Sequence, residues 1–278
     1  MKFVEDYESA KYYDTLPAFS YEFYDYLYSD TIGINSDSII ADVGCGTGRL
    51  TLDFLRRGNK VYGIDPDKNM RDICFDKCHE FRYNLKLIDG TEKNMNIPNN
   101  SVDYIIVSQA FHRFEPKEFK KECDRVLKEK NNVLIIWYRV DFYKPIFKEL
   151  LQIVKKNYTN YHTRYLTDEI EGAKLEEKEN NDIAQCFFEN NSIMKEVIST
   201  AHLNKEQFKN LALSLALFPI THEMNTVSKV LSDKEFDMDG YLNGINTIFE
   251  KYSKKDVIDL KFRVQIHSKK SKVTQIIS

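Results

Sequence analysis

The stretch SIIADVGCGTGRLTLDFLRRGNKVYGID, residues 38–65, decides how this chain folds. It opens on a short apolar run, Ile39-Ile40-Ala41, closed by Asp42-Val43 and bounded by polar residues, the pattern of a buried parallel strand. Glycines follow at alternate positions, Gly44, Gly46 and Gly48, where a backbone without Cβ atoms can turn tightly and approach a ligand. Leu50 to Leu55 is apolar at helical spacing and is ended by Arg56, Arg57 and Gly58. A second strand, Lys60 to Ile64, then delivers Asp65.

A unit of strand, glycine loop, helix and strand holds a nucleoside-like ligand across its strand ends, and the terminal acid suits ribose hydroxyls. Glycine spacing selects the ligand. A dinucleotide fingerprint would need glycine where Arg49 stands, and no Gly-Lys-Ser/Thr follows to make a Walker loop. What stands there is D-x-G-x-G-x-G, Asp42 to Gly48. This resembles motif I of the class I S-adenosylmethionine (SAM) dependent methyltransferases, with Asp65 at the place of that family's ribose-binding acid. The resemblance implies SAM as cofactor. It also implies a Rossmann-like α/β fold: a seven-stranded, mostly parallel, doubly wound sheet with an antiparallel last strand.

Composition bounds the alternatives. At 278 residues the chain has room for one large domain or a domain with a substantial insertion, and 42% hydrophobic content can fill its core. The longest apolar run, Leu211 to Phe218, ends at Pro219 and falls short of the ~18 residues a membrane span needs. MKFVEDYESAKYY is too acidic and polar for a signal peptide, so a cytoplasmic protein is expected. Five cysteines form no disulfide-like array. Cys74, Cys78 and His79 match no zinc spacing, so no metal is expected. A net charge of −3 argues against sequence-independent nucleic-acid binding.

Residues 1–35 are expected to form a helical lid, with Tyr12, Tyr13, Phe19, Tyr21, Phe23, Tyr24, Tyr26 and Tyr28 crowding a helix around 18–29. The SAM-binding core is expected over 36–140. The methyltransferases similar to trans-aconitate methyltransferase carry Tyr-Arg-Pro-x-Tyr-Pro in the lid; this chain has Thr15-Leu16-Pro17-Ala18-Phe19-Ser20, without the arginine. After Asp65 and Pro66, Asp67 is an N-cap and Met70 stands where the family rests a side chain on adenine. Leu85 to Ile88 is a third strand. Gly90 to Asp103 then follows the family's Gly-(Asp/Thr)-Ala-Glu-x-Leu-Pro-x-Pro-x-x-Ser-Val-Asp pattern, which places Thr91 and Glu92 beside the cofactor, with Asp89 two positions before Thr91. A fourth strand, Tyr104 to Val107, leads to Ser108-Gln109-Ala110-Phe111-His112-Arg113-Phe114. This resembles the family's Gln-Ala-x-His-Trp-Phe, with Arg113 in place of the tryptophan. Asn132 to Tyr138 is the fifth strand, followed by Arg139.

From 141 to 191 the strand–helix rhythm stops, and a cap insertion is expected. It holds a helix marked by Ile146, Phe147, Leu150, Leu151 and Val154, and a charge run, Glu176 to Glu179, that suits a solvated surface. Residues 192–278 should complete the sheet with strands near 193–198 and 257–266 and cap helices between them.

The cofactor set expected from the resemblance is thus Asp42, Gly44, Cys45, Gly46, Gly48, Asp65, Pro66, Met70, Thr91, Glu92 and Ser108. Methyl transfer from a sulfonium is an in-line displacement, and holding the acceptor atom ~3 Å from the methyl carbon supplies most of the acceleration. A base is needed only where the acceptor must lose a proton. His112 is the candidate, with a positioning role as its rival reading. Arg113, Arg139 and Arg164 are candidates to receive an anionic acceptor group, and His162 and Tyr161 are weaker candidates. The expected function is methylation of a small molecule, with a carboxylate-bearing acceptor as the finer expectation, by a monomer or homodimer. A tRNA or protein methyltransferase is the second enzyme reading, and a non-catalytic SAM-binding sensor is the reading from another class.

Overall fold

The computed structural model describes residues 18–130, 132–140, 144–157, 169–221 and 237–269; side chains are described for all of these except 169–176 and 214–221. The apolar run after Ser38 forms β1 (Ile39–Val43), the helical pattern after the glycines forms α2 (Arg49–Arg56), and Lys60–Ile64 forms β2. Before them lies α1 (Tyr21–Leu27), capped by the Ser20 side chain on the Phe23 N–H. There follow α3 (Lys68–Cys78), β3 (Leu85–Ile88), β4 (Tyr104–Ser108), α4 (Pro116–Val126) and β5 (Val133–Val140). Then come α5 (Pro145–Asn157), α6 (Glu169–Phe187), β6 (Ser192–Leu203), α7 (Lys205–Thr221), α8 (Met238–Tyr252) and β7 (Ile258–Lys269).

The strands make one mixed sheet in the order β3-β2-β1-β4-β5-β7-β6, mostly parallel with its antiparallel component in the last strands. β1 pairs in parallel with β2 through Ile39–Lys60 to Val43–Ile64, and with β4 through Ile40–Tyr104 to Asp42–Ile106. The order reverses between β1 and β4, and in open α/β sheets that switch point opens the crevice at the carboxyl ends of the strands.

The chain divides into two units. The first holds Ser20–Tyr138, Lys178–Val197 and Val264–Ser278. Its core packs Ala41, Val43, Ile64, Ile105, Val107, Ile135 and Trp137 of the strands against Phe119, Cys123 and Val126 of α4. Ala184, Phe187 and Phe188 join that core, with Phe187 stacked on Phe119 at 5.4 Å. The end of the stretch expected to be a cap therefore packs in the sheet's own core, because its last helical turns carry an apolar stripe that the charge run before them obscures.

The described part of the expected lid is tied to α2 and to the amino-terminal ends of β2 and β4. The Tyr24 hydroxyl donates to Asp53, and the Arg57 guanidinium lies 3.4 Å over the Tyr24 ring. The Tyr28 hydroxyl donates to Asn59, and the Tyr104 hydroxyl donates to the Ile32 carbonyl at 2.8 Å. Residues 1–17, including Tyr12, Tyr13 and Thr15-Leu16-Pro17, lie outside the described residues.

The second unit holds Met1–Phe19, Arg139–Glu177 and Ile198–Arg263. Phe147 of α5 meets Phe262 of β7 at 5.9 Å, and Phe208 of α7 meets Phe249 of α8 at 5.8 Å. Glu149 accepts from Lys251 at 2.6 Å and from the Tyr252 hydroxyl at 2.7 Å. Glu177, at the start of the described charge-run side chains, takes a bidentate pair from Arg263 at 3.1 and 2.8 Å, so this residue is more than solvated surface. Arg164, His162 and Tyr161 lie outside the described residues. Among the described residues, no helix is long and apolar enough to cross a membrane, and no cluster of His, Cys, Asp and Glu is arranged to hold a metal.

Candidate cofactor site

The glycine loop leaves β1 at the switch point, and each glycine is held for its own reason. Gly44, Gly46 and Gly48 all have positive φ, at 75°, 53° and 77°. A Cβ on Gly44 would stand 2.6 Å from the Cβ of Ala110, so the start of the loop packs on the segment after β4. A Cβ on Gly48 would collide with the Cys74 thiol, so its end packs on α3. A Cβ on Gly46 would meet nothing within 4 Å. The middle of the loop alone faces open space, which is what a cradle for a cofactor requires.

Asp65, at the tip of β2, is buried. Its Oδ2 accepts the Gly46 N–H at 2.9 Å and its Oδ1 accepts the Asp67 N–H at 2.9 Å. Burial raises its pKa above the ordinary carboxylate value against the pull of those two N–H groups. Each carboxylate oxygen keeps a second lone pair, so the acid can accept from ribose hydroxyls while it shapes the loop. Arg71 of α3 donates to the Asp65 carbonyl at 2.6 Å and pairs with Asp89 at 3.4 Å.

Asp42 is buried in β1 and accepts the Thr51 hydroxyl at 2.6 Å. Burial pushes its carboxyl up to about 6, with the Thr51 hydrogen bond pulling the other way and Asp65 adding to the rise. Cys45 is buried and shares thiol hydrogen bonds with Cys74, which in turn bonds Cys78. The third partner of Cys74 and Cys78 is therefore Cys45 rather than His79, whose Nδ1 lies 2.9 Å from the Asp76 carbonyl. All five cysteines are free thiols.

On the β3 side, Gly90 is packed against Ile64, which brings the Thr91 turn beside the tip of β2. Thr91 and Asn94 exchange backbone hydrogen bonds at 2.9 and 3.2 Å, and the Thr91 hydroxyl accepts the Lys93 N–H at 3.3 Å. Glu92 and Pro66 are half-buried, and Met70 is buried. On the β4 side, Ser108 ends the strand, two residues past the Asp42–Ile106 pair, a register that sets it level with Gly44. His112 and Arg113 are exposed on a single 3₁₀ turn, Phe111–Arg113, while Phe111 anchors that turn in the core. β5 runs on to Val140, so Arg139 lies within the strand, where it is buried, rather than after it. Arg113 belongs to the first unit and Arg139 to the second.

Two residues of this site were passed over at the level of sequence. Gln109 has φ 58°, and its amide donates to the Tyr138 carbonyl at 3.2 Å. Arg49, visible only as the residue that rules out a dinucleotide fingerprint, lays its guanidinium over the Tyr138 ring at 5.1 Å. No signal in the sequence announces a left-handed glutamine.

Comparison with known proteins agrees with this geometry. Residues 41–135 match the family described as Methyltransferase domain. An uncharacterized methyltransferase of Mycobacterium tuberculosis is 30% identical over 118 residues, 42% of this chain and 47% of that protein. One of Schizosaccharomyces pombe is 27% identical over 154 residues, 55% of this chain and 57% of that protein. The chain thus spans about half the length of the curated relatives it matches. Among solved structures, a protein of Anaeromyxobacter dehalogenans assigned as a type II methyltransferase superposes with a TM-score of 0.57 at 13% identity, covering 91% of this chain and 97% of its own. A protein of Anabaena variabilis assigned as a methyltransferase from an antibiotic biosynthesis pathway gives 0.53 at 16% identity, covering 89% and 96%. At such identities these two likenesses speak for the fold, and the matched segment speaks for the family. Residues 41–135 of this chain thus carry a methyltransferase domain of the SAM-dependent kind.

Proposed function

We propose that this protein transfers the methyl group of SAM to a small-molecule acceptor. The observation that carries the reading is the open middle of a glycine loop whose Gly46 N–H is held by the buried Asp65 carboxylate. When bound, SAM supplies a sulfonium-activated methyl group. The residues that would hold it are the Gly44–Gly48 backbone, Asp65 for the ribose, Met70 and the Thr91-Glu92 turn for the adenine, and the Ser108 end of β4. The chain's own contribution is then mainly orientation, since a nearby, aligned acceptor needs little further help. His112, exposed after β4, is the candidate to take a proton from an acceptor that must lose one. The net charge of −3 supports a small acceptor over an RNA.

The acceptor we favour carries a carboxylate or similar anion. Arg139 supports this as a buried guanidinium near the end of β5, whose planar fork of donors matches a carboxylate. Arg113 is retained as a second candidate on the exposed turn after β4. Residues 141–191 and the helices of 192–278 are the elements we assign to acceptor specificity. Five free thiols suit a reducing compartment, so we place the protein in the cytoplasm. The decisive experiment incubates the protein and SAM with a metabolite mixture and follows S-adenosylhomocysteine. Release that depends on the small-molecule fraction supports the reading. Tight SAM binding with no turnover in any fraction would favour a sensor.

A further inference from the structure

We propose that Gln109 is a positioning residue that couples the cofactor loop to the tips of β4 and β5; the inference rests on the methyltransferase reading above. Gln109 immediately follows Ser108, the last residue of β4, and its φ of 58° lies in the left-handed region. That conformation destabilises a non-glycine residue and persists only where the surroundings enforce it, which happens most often at functional sites. Here the surroundings act from the neighbouring strand, β5, at two points. The Gln109 N–H donates to the Ile136 carbonyl at 2.9 Å, and its side-chain amide donates to the Tyr138 carbonyl at 3.2 Å.

The left-handed step has a consequence for the glycine loop. It turns Ala110 against Gly44, so closely that a Cβ on Gly44 would stand 2.6 Å from that of Ala110. At the other end of the loop, Arg49 follows Gly48 and lays its guanidinium over the Tyr138 ring at 5.1 Å. Gly44, Ala110, Gln109, Tyr138 and Arg49 thus form a closed circuit that grips both ends of the loop. Gln109 is its one member that both bends the backbone and donates the bridging hydrogen bond. A carboxylate at this position cannot donate to the Tyr138 carbonyl, and a glycine adopts the turn without strain but makes no bridge.

The test uses the full chain and S-adenosylhomocysteine as the probe. Calorimetry reads affinity, thermal unfolding reads stability, and the fluorescence of the single tryptophan, Trp137 beside Tyr138, reports the β5 tip. Gln109→Glu should weaken binding at least roughly tenfold and alter the Trp137 response to the probe. Gln109→Gly should unfold at or above the wild-type temperature yet also bind at least roughly tenfold more weakly, whereas a merely structural residue would move both quantities downward. The loss caused by Arg49→Met should be smaller in the Gln109→Gly background, since the circuit is already open there. Should Gln109→Glu fail to fold, Gln109→Gly and its double variant carry the test. Wild-type affinity in Gln109→Gly, or losses that simply multiply, would overturn the coupling alone. A wild-type protein that binds neither SAM nor the probe would overturn the methyltransferase reading and this inference with it.

Discussion

The Gly46 N–H lies 2.9 Å from the Asp65 carboxylate, so the acid of β2 and the loop of β1 are one device. The acid shapes the loop before any ligand arrives, and its remaining lone pairs are free to accept from the ribose hydroxyls we propose it binds. Asp65→Ala should therefore do two things. Losing hydrogen bonds to a charged group, about 1.5–3 kcal/mol each, should weaken SAM affinity by roughly one to three orders of magnitude. Stranding the Gly46 and Asp67 N–H groups should also lower the melting temperature by a few degrees. Calorimetry beside thermal unfolding checks both, and unchanged affinity in a folded variant would remove Asp65 from the site.

The loop glycines separate ligand binding from folding. Gly48 packs on the Cys74 thiol, whereas the space over Gly46 is open. Gly48→Ala should chiefly destabilise the protein, through the collision and the strained φ of 77° together. Gly46→Val should abolish SAM binding while the chain remains folded, at the lesser cost of a β-branched residue at positive φ. Retained binding in a folded Gly46→Val protein would mean that the cofactor lies elsewhere.

Asp42 predicts an unusual pH dependence of stability. Its folded value is about 6, above the ordinary 3.8, because burial disfavours the charge. Between those values the native chain holds a proton that the unfolded chain has released. Its contribution to stability is thus full below the unfolded value and is lost as pH rises through about 6, a change of roughly 3 kcal/mol in all. Asp42→Asn keeps an oxygen for the Thr51 hydroxyl and carries no charge at any pH. Its stability relative to wild type should improve by roughly 2 kcal/mol between about pH 4.5 and pH 8. Thermal unfolding at the two pH values decides, and a constant difference would contradict the assignment.

The glycine spacing and the strand tips were legible because they are local: Asp42 to Asp65 is one strand–loop–helix–strand unit with its own periodicities. The same holds for β3 and β4, whose predicted bounds differ from the observed ones by at most one residue. Legibility fails where a feature depends on what lies opposite. Phe187 and Phe188 enter the core because Phe119 is there to receive them. β6 reaches Leu203, well past its predicted end, because its alternation continues through Ser199 and Ala201, small buried residues that carry little hydropathy signal. The two N–H groups on Asp65 and the left-handed Gln109 are properties of backbone geometry, which residue types do not announce.

The last prediction concerns the acceptor. Arg139 occupies the seventh position of β5 and is buried, the one of the two proposed acceptor arginines with that property. A methionine fills much of the same volume with apolar atoms and no charge, so it removes the guanidinium's electrostatic role while limiting any cavity. With an acceptor identified by SAM turnover, Arg139→Met should lower kcat/KM at least roughly tenfold, a loss of about 1.4 kcal/mol of transition-state stabilisation. S-adenosylhomocysteine affinity should stay at the wild-type level, since the proposed cofactor residues lie on β1, β4, α3 and the loops after β1, β2 and β3, and none lies on β5. A variant with unchanged kcat/KM would return Arg139 to a structural role, and one that lost cofactor affinity as well would place it in the SAM site instead.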